Sequence, residues 1–179
     1  MKTVMISIKP KWVVNISIGK KTIEIRKSMP KCDVPFRCLI YCTKENGGCG
    51  KVVGEFVCDK IGEINKYKTM YGVTLFFTKN DFYPIDLILK ESCLLDKYKL
   101  EHYLKGKVGY AWHISNVKIY DTPKDISDYY SGKQCKGFNN NIMDCVAMGT
   151  EFMPKCRDCI DGYTKLKKAP QSWFYIEEF

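Results

Sequence analysis

No apolar run in these 179 residues approaches the roughly 20 that a membrane-spanning helix needs, because Lys, Asp or Pro interrupts every candidate. A secretory leader is not expected either. The opening MKTVMISIKPKW starts apolar, but Lys9, Pro10 and Lys11 end the stretch and no small-residue cleavage site follows. These absences point to a soluble, cytoplasmic protein with no membrane partner. There is no internal repeat and no low-complexity tract, so collagen, coiled-coil and scaffold classes are excluded. Arginine is scarce: of 29 basic residues only Arg26, Arg37 and Arg157 are Arg, as expected of an AT-rich genome. Acidic residues are also short, 20 in all, which leaves a net charge of +9.

What is present is apolar side-chain volume. Apolar residues make up 45% of the chain and aromatics 13%, enough for one hydrophobic core and too much for a disordered chain. The expectation is a single domain over residues 1–179. Positive charge is concentrated at the start, where residues 1–31 carry eight basic side chains against one acid, Glu24. Such an excess favours an anionic partner through release of phosphate counterions. In a reducing compartment the ten cysteines raise a question of packing or metal binding, and Cys32, Cys38, Cys42, Cys58 and Cys93 read as small buried apolar residues.

Met5 to Lys9 alternates as a short strand, and Pro10 suits the first helical turn, where its missing N–H would be unpaired anyway. Trp12, Val13 and Ile16 then share one helical face, and Gly19 supplies a cap able to take positive φ. Thr22 to Arg26 alternates strictly: Ile23 and Ile25 point inward, while Glu24 and Arg26 share the other face. Arg37–Thr43 and Lys51–Lys60 read as strands joined by the turn formers Glu45-Asn46-Gly47-Gly48-Cys49-Gly50, hence a hairpin. Helical spacing follows between about 81 and 105, with Leu100, Tyr103 and Leu104 on one face and Gly106 as the stop. Gly109 to Tyr120 returns to strand, Tyr110, Trp112 and Ile114 alternating against Ala111, His113 and Ser115. Periodicity is lost over a Cys-rich insertion at about 132–170, before a last strand from Ser172 to Glu178. The fold class expected is α+β, built around a twisted antiparallel or mixed barrel.

The segment Gly19-Lys20-Lys21-Thr22-Ile23-Glu24-Ile25-Arg26 resembles the signature Gly-x-Lys-x-x-x-x-Arg of the ASCH domain, within the PUA-like superfamily. The similarity continues through Ser7-Ile8-Lys9-Pro10, Tyr41-Cys42-Thr43, Lys51-Val52-Val53-Gly54-Glu55, Tyr110-Ala111-Trp112-His113-Ile114-Ser115 and the closing Pro170-Gln171-Ser172-Trp173. The resemblance extends to small proteins of phage and prophage origin. It implies a PUA-like β-barrel with flanking helices, whose cleft runs beside the loop bearing the signature. It also implies nucleic-acid binding, RNA first, and it leaves open whether the chain is an enzyme. Some ASCH-related proteins are ribonucleases or amidohydrolases of acetylated cytidine, the latter using the signature Lys with a Thr nucleophile. Glu24 stands at the position matching that Thr, and a carboxylate does not replace a hydroxyl nucleophile; as a catalytic pair, Lys21 and Glu24 would have to work by acid–base chemistry.

For binding, Lys9, Lys21 and Arg26 offer charge-assisted donors to phosphate, and Glu24 offers an acceptor to an exocyclic base amine. Trp112 and Trp173 are the candidate stacking surfaces, Trp112 also reading as core. If Trp112 packs inward, His113 and Ser115 face the cleft, and the closing segment adds Gln171 and Trp173. A host protein is a further candidate partner.

Cys135, Cys145, Cys156 and Cys159 lie together in the aperiodic segment, the last two as Cys-x-x-Cys. That spacing lets both sulfurs reach one tetrahedral ion, and a structural zinc would order a polar segment of this length. The alternative is a set of free cysteines in a polar excursion.

Overall fold

The computed structural model describes residues 1–68, 74–79, 85–92, 96–134, 159–160 and 162–179. The chain runs β1 (Thr3–Ile8), α1 (Pro10–Ser17), β2 (Ile23–Arg26), β3 (Phe36–Cys42), β4 (Val52–Cys58), β5 (Ile61–Lys68), β6 (Thr74–Lys79), α2 (Ile85–Glu91), α3 (Lys97–Leu104), β7 (Gly109–His113), β8 (Ser115–Lys124), β9 (Tyr130–Gln134), β10 (Cys159–Ile160), β11 (Tyr163–Lys165) and β12 (Trp173–Glu177). None of the described helices is long and apolar enough to cross a membrane.

The strands form two sheets. The larger has the order β10-β11-β9-β12-β1-β3-β4-β8, and the smaller β2-β7-β5-β6. β1 and β3 run parallel, and the other pairs are antiparallel. Among the described strands no hydrogen-bonded pair joins one sheet to the other, so the expected closed barrel is replaced by two open sheets. The chain passes between the sheets four times, and two of the passages are tight corners. The chain leaves the larger sheet between β4 and β5, and returns to it between β7 and β8, where Ile114 breaks the single strand expected over Gly109–Tyr120.

Period-2 alternation sorts the larger sheet's side chains into two cores. On one face Val4, Ile6, Ile8, Phe36, Cys38 and Ile40 pack with Ile16 of α1 and with Trp112. On the other, Met5, Leu39, Tyr41, Val52 and Ile176 pack with Tyr129 and Leu166. A third core under α2 and α3 holds Ile23, Ile25, Ile64, Ile88, Leu100 and Leu104. Each such aliphatic side chain contributes about 1.5–3 kcal/mol on burial.

The local signals act largely as expected. Pro10 opens α1, and Gly19 adopts φ +69° just beyond it. The side chain of Asp96 accepts from the Lys99 N–H at 2.8 Å to start α3, whose left-handed cap is Lys105 at φ 51°, followed by Gly106 at φ 76°. Five strands went unread in the sequence: β5, β6, β9, β10 and β11. In β5, Gly62 and Ile64 are buried while Ile61 packs against the first core, so apolar residues fall on both faces and alternation disappears. The segment after residue 132 is not wholly an excursion, since β11 pairs with β9 and Leu166 closes the second core.

Candidate functional site

Three buried charged residues come from one turn and one strand. Lys21, Glu24 and Arg26 are 5%, 8% and 8% exposed, which no ordinary surface strand would give. Lys21 Nζ donates to the Ser92 carbonyl oxygen at 2.8 Å and lies 3.2 Å from Glu24 Oε2. Arg26 Nε lies 3.0 Å from Glu24 Oε1, as an ion pair whose angle falls outside hydrogen-bond geometry, and Arg26 Nη2 donates to the Ser7 carbonyl oxygen at 2.6 Å. Each carboxylate oxygen of Glu24 thus meets one cation. The three charges sum to +1, and burial without their mutual pairing would cost several kcal/mol per ion.

Local structure puts these groups in place. The Lys21 N–H donates to Asn15 O, tying the turn to α1. At the end of α2, the Glu91 carbonyl accepts from the Thr22 N–H, its side chain accepts from Thr22 Oγ1 at 3.0 Å, and the next carbonyl takes Lys21 Nζ. A cation at the carbonyl end of a helix meets the negative pole of its dipole, so Lys21 also caps α2.

These residues floor a cleft of about 640 Å³ lined by Ser7, Lys9, Trp12, Lys21, Glu24 and Arg26, with Lys27, Ser28, Thr43, Glu45, Ser92, Tyr103 and Gln171 also reaching it. Lys9 stands at the mouth, 2.9 Å from Glu45 Oε2, both side chains being more than half exposed. Trp12 and Tyr103 present aromatic surface. Lys11 and Lys21 lie 4.8 and 5.7 Å from the Trp12 ring centre, and Lys27 lies 4.8 Å from that of Tyr103.

Of the residues expected from sequence, Lys9, Lys21, Glu24, Arg26 and Gln171 meet in this cleft. Four others, Trp112, His113, Ser115 and Trp173, are placed elsewhere. In the register of β2 with β7, Ile23 lies opposite His113 and Glu24 opposite Trp112, so Trp112, not His113, shares the signature face. Trp112 is fully buried in the first core, in edge contact with Phe36, and offers no stacking surface. His113 serves the two corners: its N–H donates to Lys60 O and its Nδ1 lies 2.6 Å from Asp59 Oδ1. Burial pushes the Asp59 carboxyl up, but the hydrogen bond and charge of His113 outweigh that and hold it below the usual aspartate range. Ser115 Oγ donates to Val57 O at the same corners. Trp173 packs against Trp112 and Tyr175, and its indole N–H donates to the cleft residue Ser28 at 3.0 Å.

Sequence reasoning missed Trp12 and Tyr103 as cleft walls. Both share a helical face with buried neighbours, which marks them as core; the available signal was the position of Trp12 next to Lys9 and Pro10, at the mouth. Cys135, Cys145 and Cys156 lie outside the described residues, and Cys159 enters only through the backbone of β10. Among the described residues no group of three His, Cys, Asp or Glu converges as metal ligands.

No family profile and no curated protein matches the sequence. Solved structures do. The chain is similar to ASCH from Zymomonas mobilis, at TM-score 0.56 and 16% identity over 99% of this chain and 89% of that one. It is likewise similar to a serine-to-alanine variant of that protein, at TM-score 0.56, 15% identity and coverage of 99% and 89%. A tyrosine-to-phenylalanine variant gives TM-score 0.55, 15% identity and coverage of 99% and 92%. The chain therefore has the mixed α+β fold of ASCH proteins, mostly sheet with few helices.

Proposed function

We propose that this is an ASCH-domain protein that binds RNA, taking one unpaired nucleotide into the cleft. The observation that carries the reading is the floor: a buried Lys21–Glu24–Arg26 group of net charge +1 between the aromatic walls Trp12 and Tyr103. The three cations expected as phosphate ligands divide into two roles. Lys9, at the rim, meets the backbone, and Lys27, a fourth cation lining the cleft, joins it in that role; Lys21 and Arg26, already committed to Glu24, hold that carboxylate where a base edge can donate to its remaining lone pairs. A base lies against Trp12 or Tyr103, and a cleft of about 640 Å³ is in the range for one nucleotide. Fluorescence anisotropy with labelled single-stranded and duplex RNA across a salt series tests this. The expected result is preference for the single strand, with log affinity falling linearly in log salt by about 0.7 per phosphate contact. Salt-independent binding, or equal binding of duplex, overturns it.

One observation favours a second reading, an RNA-directed hydrolase in the same cleft: Lys21 Nζ is 3.2 Å from Glu24 Oε2, a spacing that fits an acid–base pair. Long incubation with intact RNA distinguishes the two. Metal-independent cleavage lost in a folded Lys21→Ala protein supports the hydrolase, and recovery of intact RNA supports binding alone.

A further inference from the structure

The loop between β3 and β4, which supplies Thr43 and Glu45 to the cleft, also brings Cys42 and Cys49 near each other. Cys42 ends β3 and is 6% exposed, and its N–H donates to Lys51 O at 2.9 Å, so the strand end is held to the far side of the loop. The returning segment lies directly on it: a Cβ on Gly48 would fall 1.8 Å from Thr43 O and 2.5 Å from Pro10 Cγ, an approach that only glycine permits. Cys49, the next residue, is exposed and interacts with Cys42 through both its backbone and its thiol, while the Cys42 thiol itself donates to Thr43 O at 3.8 Å. The other described cysteines lack this arrangement. Cys32 meets the Tyr175 hydroxyl, and Cys38 and Cys58 are buried in the first core, where burial pushes the Cys58 thiol up to about 12.

We propose that Cys42 and Cys49 are a redox-active dithiol that closes to a disulfide across this loop, with low-molecular-weight disulfides as the co-reactant. Burial raises the Cys42 thiol, so the exposed Cys49 reacts first. The Cys49 thiolate attacks one sulfur of the external disulfide, forming a mixed disulfide and releasing one thiol. Cys42, losing its proton to solvent, then attacks the Cys49 sulfur and releases the second thiol. Two thiols are oxidised, one external disulfide is reduced to two thiols, and the chain loses two hydrogens. The site matters by position, since the same loop supplies Thr43 and Glu45 to the cleft, with Glu45 paired to Lys9. It does not depend on what the cleft binds.

The test is incubation of the full chain with oxidised glutathione, quenching with iodoacetamide under native conditions, and peptide mass mapping. The expected product is an internal Cys42–Cys49 link with no glutathione retained, reversed by dithiothreitol, while Cys38 and Cys58 are alkylated only after unfolding. Cys42→Ser is expected to keep glutathione on Cys49, because the resolving thiol is gone; Cys49→Ser, a change at an exposed side chain, is expected to melt like the parent and to lose the link. Stable glutathionylation of Cys49 in the parent, a link from Cys49 to any other cysteine, or no oxidation at all overturns the proposal. If Cys42→Ser does not fold, the parent and Cys49→Ser maps still decide it.

Discussion

Two carboxylates in this molecule, Glu24 and Glu55, each join cationic and polar partners, and they do different work. Glu55 lies on a seam across the larger sheet. Arg37 of β3 donates to it, as does the Tyr120 hydroxyl of β8, and Arg37 reaches on to Glu178 beyond β12 at 2.7 Å. That seam faces water: the Arg37, Glu55 and Glu178 side chains are 29%, 21% and 43% exposed. The Glu24 group draws its ionic partners from its own strand and the turn before it, is nearly sealed, and floors a cleft. Partly solvated pairs tolerate loss of a member because water replaces the partner; a sealed group does not. Ion pairing alone therefore does not mark a site, whereas ion pairing at the floor of a cavity does.

The largest expected effect comes from breaking the sealed group. Glu24→Gln leaves Lys21 and Arg26 buried without a counter-charge and is expected to cost about 3–5 kcal/mol in urea unfolding. A loss no larger than that of an exposed pair would show that water enters the floor. Next is Trp12→Ala, which removes one aromatic wall and is expected to weaken single-stranded RNA binding by about 1–3 kcal/mol. Unchanged affinity in the folded variant would remove Trp12 from the interface.

Smaller effects belong to the seam. Glu55→Gln is expected to cost about 1–2 kcal/mol at pH 7. Burial pushes the Glu55 carboxyl up, but hydrogen bonds from Arg37 and Tyr120 outweigh it and hold the group below the usual glutamate range. A depressed folded value means that its stabilisation is fully present above the ordinary glutamate value of about 4.3 and is lost as pH falls through the folded value. The difference between parent and Glu55→Gln should therefore shrink in urea titrations carried from pH 7 to pH 3; a constant difference would place the charge outside the seam's energetics. Smallest is Glu178→Gln, at the exposed end, expected to cost about 0.2–1 kcal/mol and to lose that effect in high salt.

Much of the candidate site is legible in the amino-acid sequence. Pro10 begins α1 and Gly19 takes the positive φ beyond it, because each acts through its own backbone constraint. Strict alternation in β2 separates Ile23 and Ile25, which enter the core under α2 and α3, from Glu24 and Arg26, which reach the cleft. Those are local properties of the chain.

What only the tertiary structure decided was the pairing of faces. Every residue of β2 is buried, so alternation reports that two faces exist without saying which residues of β7 share them. The register with β7 settled that, setting Trp112 of the first core opposite Glu24 and giving His113 to Asp59 at the corners. The break at Ile114, the carbonyl of Ser92 for Lys21 and the aromatic walls from α1 and α3 likewise come from residues distant in sequence. Period-2 and period-3.6 patterns record how a segment divides its own side chains. Which neighbour covers each side is set by packing free energy summed over the whole chain, and no single segment carries that sum.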